Sequence, residues 1–390
     1  MRVLMLSTDR NIFKKLSPVA ERMKDYGSIC DELHILVIQK SKVESRKLEN
    51  IGKNSGVKIS QNVFAYPVTS RFKLGALFKA YRLGTRIFTM DFGLRTLDYL
   101  VTAQDPFETG FAGWIIARAF KAKLQLQIHT DFLSPYFVRG LLLNKIRVFI
   151  AGFLLPRADS IRVVSDRIKY SLQTTNYRLK TVPSVLPIFV DAPKIMSAKP
   201  QFDLHKKYPR FDFIILTVAR LEPEKNISLS LQVMKTVIKE YPRIGFVIVG
   251  DGKEMKNLKL KTIDYGLQTS VVFEGWQNEL ASYYKTSDLY LSTSDYEGYG
   301  LSLVEAALSG CPIVTTDVGI ASYILKNGLG ALVCPPGDDI CIGKGIRTFL
   351  SNLELRKKVS RTAIAEALKS VPKDKQTYLL EYKKLWEACL

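Results

Sequence analysis

Two short segments hold the residues best suited to chemistry. The first is Glu297-Gly-Tyr-Gly-Leu-Ser-Leu-Val-Glu305-Ala, placed between an apolar strand-like run at 289–293 and a helical run at 300–309. A chain that turns from strand into helix at glycines directs backbone amides outward, toward phosphate or sugar oxygens. Glu305, on the first turns of that helix, can accept two hydroxyl hydrogen bonds, as a ribose diol requires. Glu297, ahead of the turn, is placed to bond a hexose. The plainer alternative is that Glu297 caps the helix and the glycines only permit a tight turn.

The second segment is Val218-Ala-Arg220-Leu-Glu-Pro-Glu-Lys225-Asn226, directly after the run 213–219. A diphosphate leaving group gains negative charge in the transition state, and preorganised cations stabilise it. Arg220 and Lys225 suit that task. The plainer alternative is a solvated loop in which they neutralise Glu222 and Glu224. No Asp-x-Asp pair stands beside a strand, so no metal site is expected and the two cations are the natural counter-charge. Of three histidines, only His129 ends an apolar strand-like run (123–129); His34 begins a strand and His205 sits in a linker-like stretch. Asp105, after the preceding strand, points to the same edge, and Asp131 is less secure.

The elements that position these residues alternate strand with helix. Strands are expected near 3–8, 33–39, 98–103, 123–129, 160–165 and 180–183, with helices near 18–26 and 111–120. The stretch 195–210, with Pro200, Pro209 and several lysines, reads as a linker. After it, strands at 213–219, 246–250, 271–275, 289–293 and 312–317 again alternate with helices. This predicts an α/β protein with two doubly wound, Rossmann-like parallel-sheet domains facing across a cleft, residues 1–197 and 198–372. Residues 373–390, with Tyr378, Leu379, Tyr382, Leu385 and Trp386 at helical spacing, are expected to return to the first domain.

Composition narrows the class. A chain of 390 residues with 47% hydrophobic and 24% charged residues is globular, not disordered or fibrous, and long enough for two cores. Five scattered cysteines without a CxxC pair suggest a reducing compartment and no structural zinc. A strand at Arg2 leaves no room for a cleavable leader, and the apolar stretch 141–156 is interrupted by Lys145 and Arg147. A cytoplasmic protein, or one peripheral on the inner face of the cell membrane, is expected.

The segments VARLEPEKN, FVIVGDG, VVFEGW, EGYGLSLVEA, SGCPIVTTDVG and LVCPPGD, in that order, resemble glycosyltransferase family 4, retaining enzymes of the glycosyltransferase-B fold. In the first half the likeness rests on AQDPFETG, IHTDF and RVVSDRIK. The resemblance implies a nucleotide-diphosphate sugar held mainly by the second domain. Arg220 and Lys225 would hold the diphosphate, Glu305 the ribose, Glu297 the hexose, and Gly298, Tyr299, Gly300 and Leu301 would flank the donor. His129 would sit close to the reacting sugar, and neither metal nor other cofactor would be required. Two departures stand out: Ser7-Thr8-Asp9-Arg10-Asn11 replaces the usual Gly-Gly loop, and Tyr323 falls where the family has a glutamate.

Net charge is +20, and residues 1–197 carry +16 of it, from 31 lysines and arginines against 15 acidic residues. No acidic residue lies between Glu49 and Asp91, where Lys53, Lys58, Arg71, Lys73, Lys79, Arg82 and Arg86 mix with Phe72, Leu74, Leu77, Phe78, Tyr81, Leu83 and Phe88. A basic amphipathic helix there, or at Arg139–Arg147, suits an anionic membrane bearing a lipid-linked acceptor, although a docked helix with a solvated face reads the same. A glycan or lipid-linked acceptor of cell-envelope polysaccharide or glycolipid synthesis follows. The alternatives are a sugar-nucleotide epimerase of the same fold, a partner subunit without catalysis, or a non-catalytic basic protein binding membrane or nucleic acid. Nucleic acid is disfavoured, because no recognised module or interleaved stacking aromatics accompany the charge.

Overall fold

A computed structural model describes residues 1–40, 56–70, 72–91 and 99–390. The chain divides into two compact units. Unit 1 comprises Met1–Val164, Ile168–Leu186 and Lys375–Leu390; unit 2 comprises Ser165–Arg167 and Pro187–Asp374.

Continuous apolar runs, rather than alternating ones, mark strands covered on both faces. In unit 1 these build an eight-stranded sheet from β1 (Arg2–Ser7), β2 (Glu32–Lys40), β3 (Val57–Ser60), β4 (Val63–Ser70), β5 (Tyr99–Ala103), β6 (Lys123–Ile128), β7 (Ser160–Val163) and β8 (Ser184–Val185). The spatial order is β3-β4-β2-β1-β5-β6-β7-β8, and every pairing is parallel except β3 with β4. Part of the basic window is therefore sheet. Val63, Ala65 and Val68 of β4 are buried in the core. The last strand lies at 184–185 rather than 180–183.

The helix Lys375–Glu387 packs in unit 1 as its spacing implies. Trp386 is fully buried, Tyr382 stacks on Tyr26 with ring centroids 4.4 Å apart, and the Tyr26 and Tyr378 hydroxyls lie 3.3 Å apart.

Unit 2 holds six parallel strands: β9 (Phe213–Val218), β10 (Ile244–Val249), β11 (Val271–Gly275), β12 (Leu289–Ser292), β13 (Ile313–Thr316) and β14 (Leu332–Cys334), in the order β11-β10-β9-β12-β13-β14. This is the dinucleotide-binding order 3-2-1-4-5-6. The boundary at 197 moves. Residues 187–197 belong to unit 2, and the expected linker contains helices Ala192–Ser197 and Leu204–Lys207. Lys285 holds this stretch by donating to the carbonyls of Met196 (2.7 Å) and Ala198 (2.5 Å).

Cys334 and Cys341 form a disulfide, so cysteine usage does not by itself indicate a reducing compartment. The turn from β14 into the helix Asp339–Ser351 brings their Cα atoms to 5.7 Å, a proximity that spacing alone could not reveal.

Candidate functional site

In unit 2 the strand order reverses between β9 and β12, and open parallel sheets bind ligands outside the carboxyl ends of strands at such a point. The chains leaving β9 and β12 carry Arg220, Lys225 and Glu297. They are stitched together by short polar side chains. Asn226, left-handed at φ 44°, donates from Nδ2 to Asp295 Oδ1 (2.8 Å), and the Asp295 amide donates to the Glu224 carbonyl (2.9 Å). Thr293 Oγ1 donates to the Asn226 carbonyl at 2.9 Å.

Within this frame Lys225 forms an ion pair with Glu297, both side chains being about 15% exposed, and Ser294 Oγ donates to the same carboxylate at 2.9 Å. Lys225 therefore does not serve to neutralise Glu222 or Glu224. Arg220 differs. It is 67% exposed and only 3.5 Å from Glu224 Oε1, a loose contact that leaves its guanidinium available to an anion.

Glu297 does not cap the following helix, Leu301–Leu308. The capping position is Gly300 at φ 91°, no side chain satisfies that end, and its first amides remain available to an anion. Leu301 is 37% exposed at that end. Glu305, one turn further, accepts from the Tyr284 hydroxyl at 2.9 Å through Oε2. Burial raises the Glu305 pKa above the usual carboxylate value, opposed by that hydrogen bond.

The Gly298–Gly300 turn is supported from behind. Ser165 Oγ donates to the Gly298 carbonyl (2.7 Å), and the Ile320 amide to the Tyr299 carbonyl (3.0 Å). The Tyr299 side chain is 3% exposed, so any ligand contact there falls to its backbone. Gly319 sits at φ 55°, where a Cβ would lie 2.3 Å from the Tyr299 oxygen. Arg167 ties this region down through Asp317 and the carbonyls of Gly319 (3.1 Å) and Ala321 (2.8 Å), with its guanidinium 5.0 Å from the Tyr323 ring centroid. Tyr323 thus stacks beneath a cation where the resembling family has an acid.

In unit 1, His129 follows β6, half-buried, with Nε2 3.2 Å from Gln127 Oε1. Burial, then the charges of Arg162 and Arg22, lower its pKa to about 3, so the ring is neutral at physiological pH. Asp105 Oδ1 accepts from the amides of Phe107 (2.8 Å) and Thr109 (3.2 Å), capping the entry to the helix Glu108–Phe120. His34 is buried against Tyr66 (Nδ1 to hydroxyl oxygen 2.9 Å), and His205 Nε2 lies 3.0 Å from Asp288. In place of a Gly-Gly loop, Asp9 Oδ1 accepts from the Asn11 amide at 2.9 Å and starts a turn at Arg10–Phe13. Among the described residues no group of three or more His, Cys, Asp and Glu could hold a metal ion.

Sequence reasoning missed the supports Ser294, Asp295, Tyr284, Ser165 and Arg167. Ser165 and Arg167 fall within the segment RVVSDRIK, but they lie 130 or more residues from the turn they hold, so the segment does not reveal what they support.

Known proteins share this architecture. The two parallel-sheet units form the glycosyltransferase-B fold, as in HepE of Anabaena, solved in complex with UDP-glucose, which the chain matches with a TM-score of 0.73 at 18% identity over 98% of each chain. Residues 201–366 match the family model described as Glycosyl transferases group 1. The chain is similar to alpha-monoglucosyldiacylglycerol synthase of Streptococcus pneumoniae, at 28% identity over 55% of this chain and 51% of that protein. It is also similar to the UDP-Gal:alpha-D-GlcNAc-diphosphoundecaprenol alpha-1,3-galactosyltransferase of Escherichia coli, at 33% identity over 37% of this chain and 39% of that one. The matches thus span about half the length of the first relative and two fifths of the second.

Proposed function

We propose that the protein is a retaining, metal-independent glycosyltransferase of the family 4 type, moving a hexose from a nucleotide-diphosphate sugar to a glycan or lipid-linked acceptor of the cell envelope. The observation that carries this reading is the meeting, at the switch point of unit 2, of Lys225, Glu297, an open helix N-terminus and Glu305. Lys225 and Arg220 are assigned the diphosphate, Glu305 the ribose diol and Glu297 the hexose, while the amides at Gly298–Leu301 face the donor. His129 keeps the sugar contact that the resemblance implies.

In the reaction, the bond from the anomeric carbon to the diphosphate oxygen breaks and the acceptor oxygen bonds that carbon from the same face. The acceptor's proton passes to the departing phosphate oxygen. Lys225 and Arg220 offset the growing charge, which is where preorganised cations lower a barrier most. UDP is the favoured nucleotide, since the similar fold of HepE was solved with UDP-glucose.

The acceptor's class is supported by a surface of unit 1. The helix Leu142–Leu154 exposes Leu142 (75%), Ile146 (51%) and Phe149 (78%) at helical spacing, flanked by exposed Arg139 and Lys145. That is the pattern of a helix lying on an anionic membrane, and we assign it that contact, consistent with a cytoplasmic enzyme peripheral to the membrane. The first candidate is weaker: in the helix Lys73–Arg86 the residues Ala76 and Ala80 are buried, Phe88 packs on Phe120, and mainly Phe72 and Phe78 remain exposed. Lys53, Arg71 and the side chains of Lys73 and Leu74 lie outside the described residues. Among the described residues no helix is long and apolar enough to cross a membrane.

The test is a panel of UDP-, GDP- and ADP-linked sugars with EDTA present, scored for binding and turnover, with Glu305→Ala and Lys225→Ala as controls. One donor turning over with retained anomeric configuration, lost in both variants, is expected. An epimerised sugar nucleotide as product, or activity only with added metal, would overturn the reading. Vesicle sedimentation tests the surface: Phe149→Ser should weaken binding to anionic vesicles, and wild-type protein left in the supernatant at low salt refutes the contact.

A further inference from the structure

Unit 2 carries a cleft on the sheet edge opposite the donor residues. Lys225 and Glu297 stand beyond the carboxyl ends of β9 and β12. At the other edge, Asp288 immediately precedes β12, Pro312 immediately precedes β13, and the helix Leu353–Ser370 lies across both. Helix and strand starts enclose a cleft of about 380 Å³, a volume typical of sites for small molecules.

The helix faces the cleft with Leu353, Arg356, Lys357, Ser360, Arg361 and Ile364. Steps of three and four residues put these side chains on one stripe. A helical stripe turned toward a sheet is ordinarily apolar. Here its middle holds three cations and a serine. Two donors on it are buried without a hydrogen-bond partner among the described residues: Ser360 Oγ, in a residue 8% exposed, and Arg356 Nε. Buried polar groups are nearly always paired, so two such donors on one cleft wall point to an acceptor that comes from outside the chain.

Nearby acids offset only part of the charge. Arg356 Nη1 lies 4.0 Å from Asp288 Oδ1, and its guanidinium 5.1 Å from the Phe213 ring centroid. Asp288 is engaged elsewhere through Oδ2, which accepts from the Ile214 amide (2.7 Å) and lies 3.0 Å from His205 Nε2. Lys357 Nζ is 3.2 Å from Glu354 Oε1, an exposed pair that an incoming anion readily replaces. Arg361 is exposed and makes no ion pair among the described residues.

Lys357, Ser360 and Arg361 are neighbours within one helical turn, so one oxyanion can accept from ammonium, hydroxyl and guanidinium together. A phosphomonoester supplies three acceptor oxygens and close to two negative charges. The cleft exceeds that group, and its other walls, Pro312, Leu353 and Ile364, are carbon. We propose that this cleft binds a soluble phosphomonoester with a sugar-sized body, its phosphate on Lys357, Ser360 and Arg361 and its carbon face against Pro312 and Ile364. None of these residues belongs to the donor assignments, so the site stands whether or not the donor reading does.

The experiment is calorimetric titration of the full chain, at about 0.15 M salt to screen diffuse binding, with glucose 6-phosphate, inorganic phosphate, glucose and a short-chain phosphatidic acid below its micelle concentration. Glucose 6-phosphate should bind at one site, at least tenfold more tightly than inorganic phosphate, and glucose should give no signal. Arg361→Gln, at an exposed position, should weaken it tenfold or more, as for a lost charged hydrogen bond, while Lys225→Met leaves it unchanged. Binding lost in Lys225→Met and kept in Arg361→Gln would put the phosphate among the donor residues and overturn the proposal. Ser360→Ala should bind severalfold more weakly yet melt no lower than wild type, because it removes a buried hydroxyl that has no partner. A lower melting temperature would mean that Ser360 serves the fold, and overturns its assignment.

Inorganic phosphate binding as tightly as the sugar phosphate overturns the sugar-sized body. Phosphatidic acid binding in its place makes the ligand a lipid headgroup and overturns the soluble one. Absence of binding by every phosphate compound at millimolar concentration overturns the site.

Discussion

Replacing Lys225 by methionine, which keeps most of the aliphatic stem and removes the charge, separates a structural role from a chemical one. Both members of the Lys225–Glu297 pair are about 15% exposed, so the pair falls between surface bridges and fully buried ones. Surface bridges contribute about 0–1 kcal/mol, and breaking a buried one costs about 3–5 kcal/mol. Ser294 still donates to Glu297, and a loss of about 1–3 kcal/mol in stability is expected, between the surface and buried ranges. Activity should suffer differently. One preorganised group stabilising charge in the transition state contributes about 2.7–4 kcal/mol, or roughly 100- to 1000-fold in kcat/KM. The double variant Lys225→Met/Glu297→Gln removes both charges, so urea denaturation should return to within about 1 kcal/mol of wild type. Nucleotide release should stay as low as in the single variant. If the double variant regains activity along with stability, or if Lys225→Met stays within threefold of wild type, the cation serves the fold and not the leaving group.

Glu305→Gln should separate stability from binding. Burial raises the Glu305 pKa, so the folded chain holds that proton more tightly than the unfolded chain. Its contribution is favourable below the ordinary carboxylate pKa and is lost as pH rises through the raised one. The glutamine variant should therefore melt higher than wild type near pH 7, with the gap closing toward about pH 4, while donor affinity falls about tenfold or more, as for a lost charged hydrogen bond. Equal melting temperatures at pH 7 would refute this. Gly319→Ala forces a Cβ onto the Tyr299 carbonyl from a left-handed backbone, and should lose more than about 1 kcal/mol and most donor binding; a variant that melts like wild type would contradict the geometry. Arg167→Lys cannot bridge Asp317 and two carbonyls at once, so donor KM should rise severalfold with little change in secondary structure by circular dichroism.

Most strands and helices were legible because buried parallel strands read as unbroken apolar runs, as in FIILTV of β9 and IGFVIV of β10. Where that signal was diluted, reading failed. The strands β3 and β4 carry Lys58 and Pro67 among their apolar residues, and the helices inside 192–207 were hidden by prolines and lysines. A carboxylate after a strand suits catalysis and helix capping alike, and the two amide contacts of Asp105 are visible only in the structure.

By itself the sequence determined which residues stand at the ends of strands, since hydrophobic periodicity and glycine placement are local properties of the chain. That sufficed to single out Arg220, Lys225, Glu297 and Glu305. Tertiary structure alone decided whom each residue meets. Lys225 pairs with Glu297 from 72 positions away, Tyr284 holds Glu305, and Arg162 meets Gln127 from the neighbouring strand. The physical reason is that partnership depends on strand order. Placing β12 beside β9 and β7 beside β6 brings distant side chains within hydrogen-bond reach, and that order is written in the packing of whole elements rather than in any one segment.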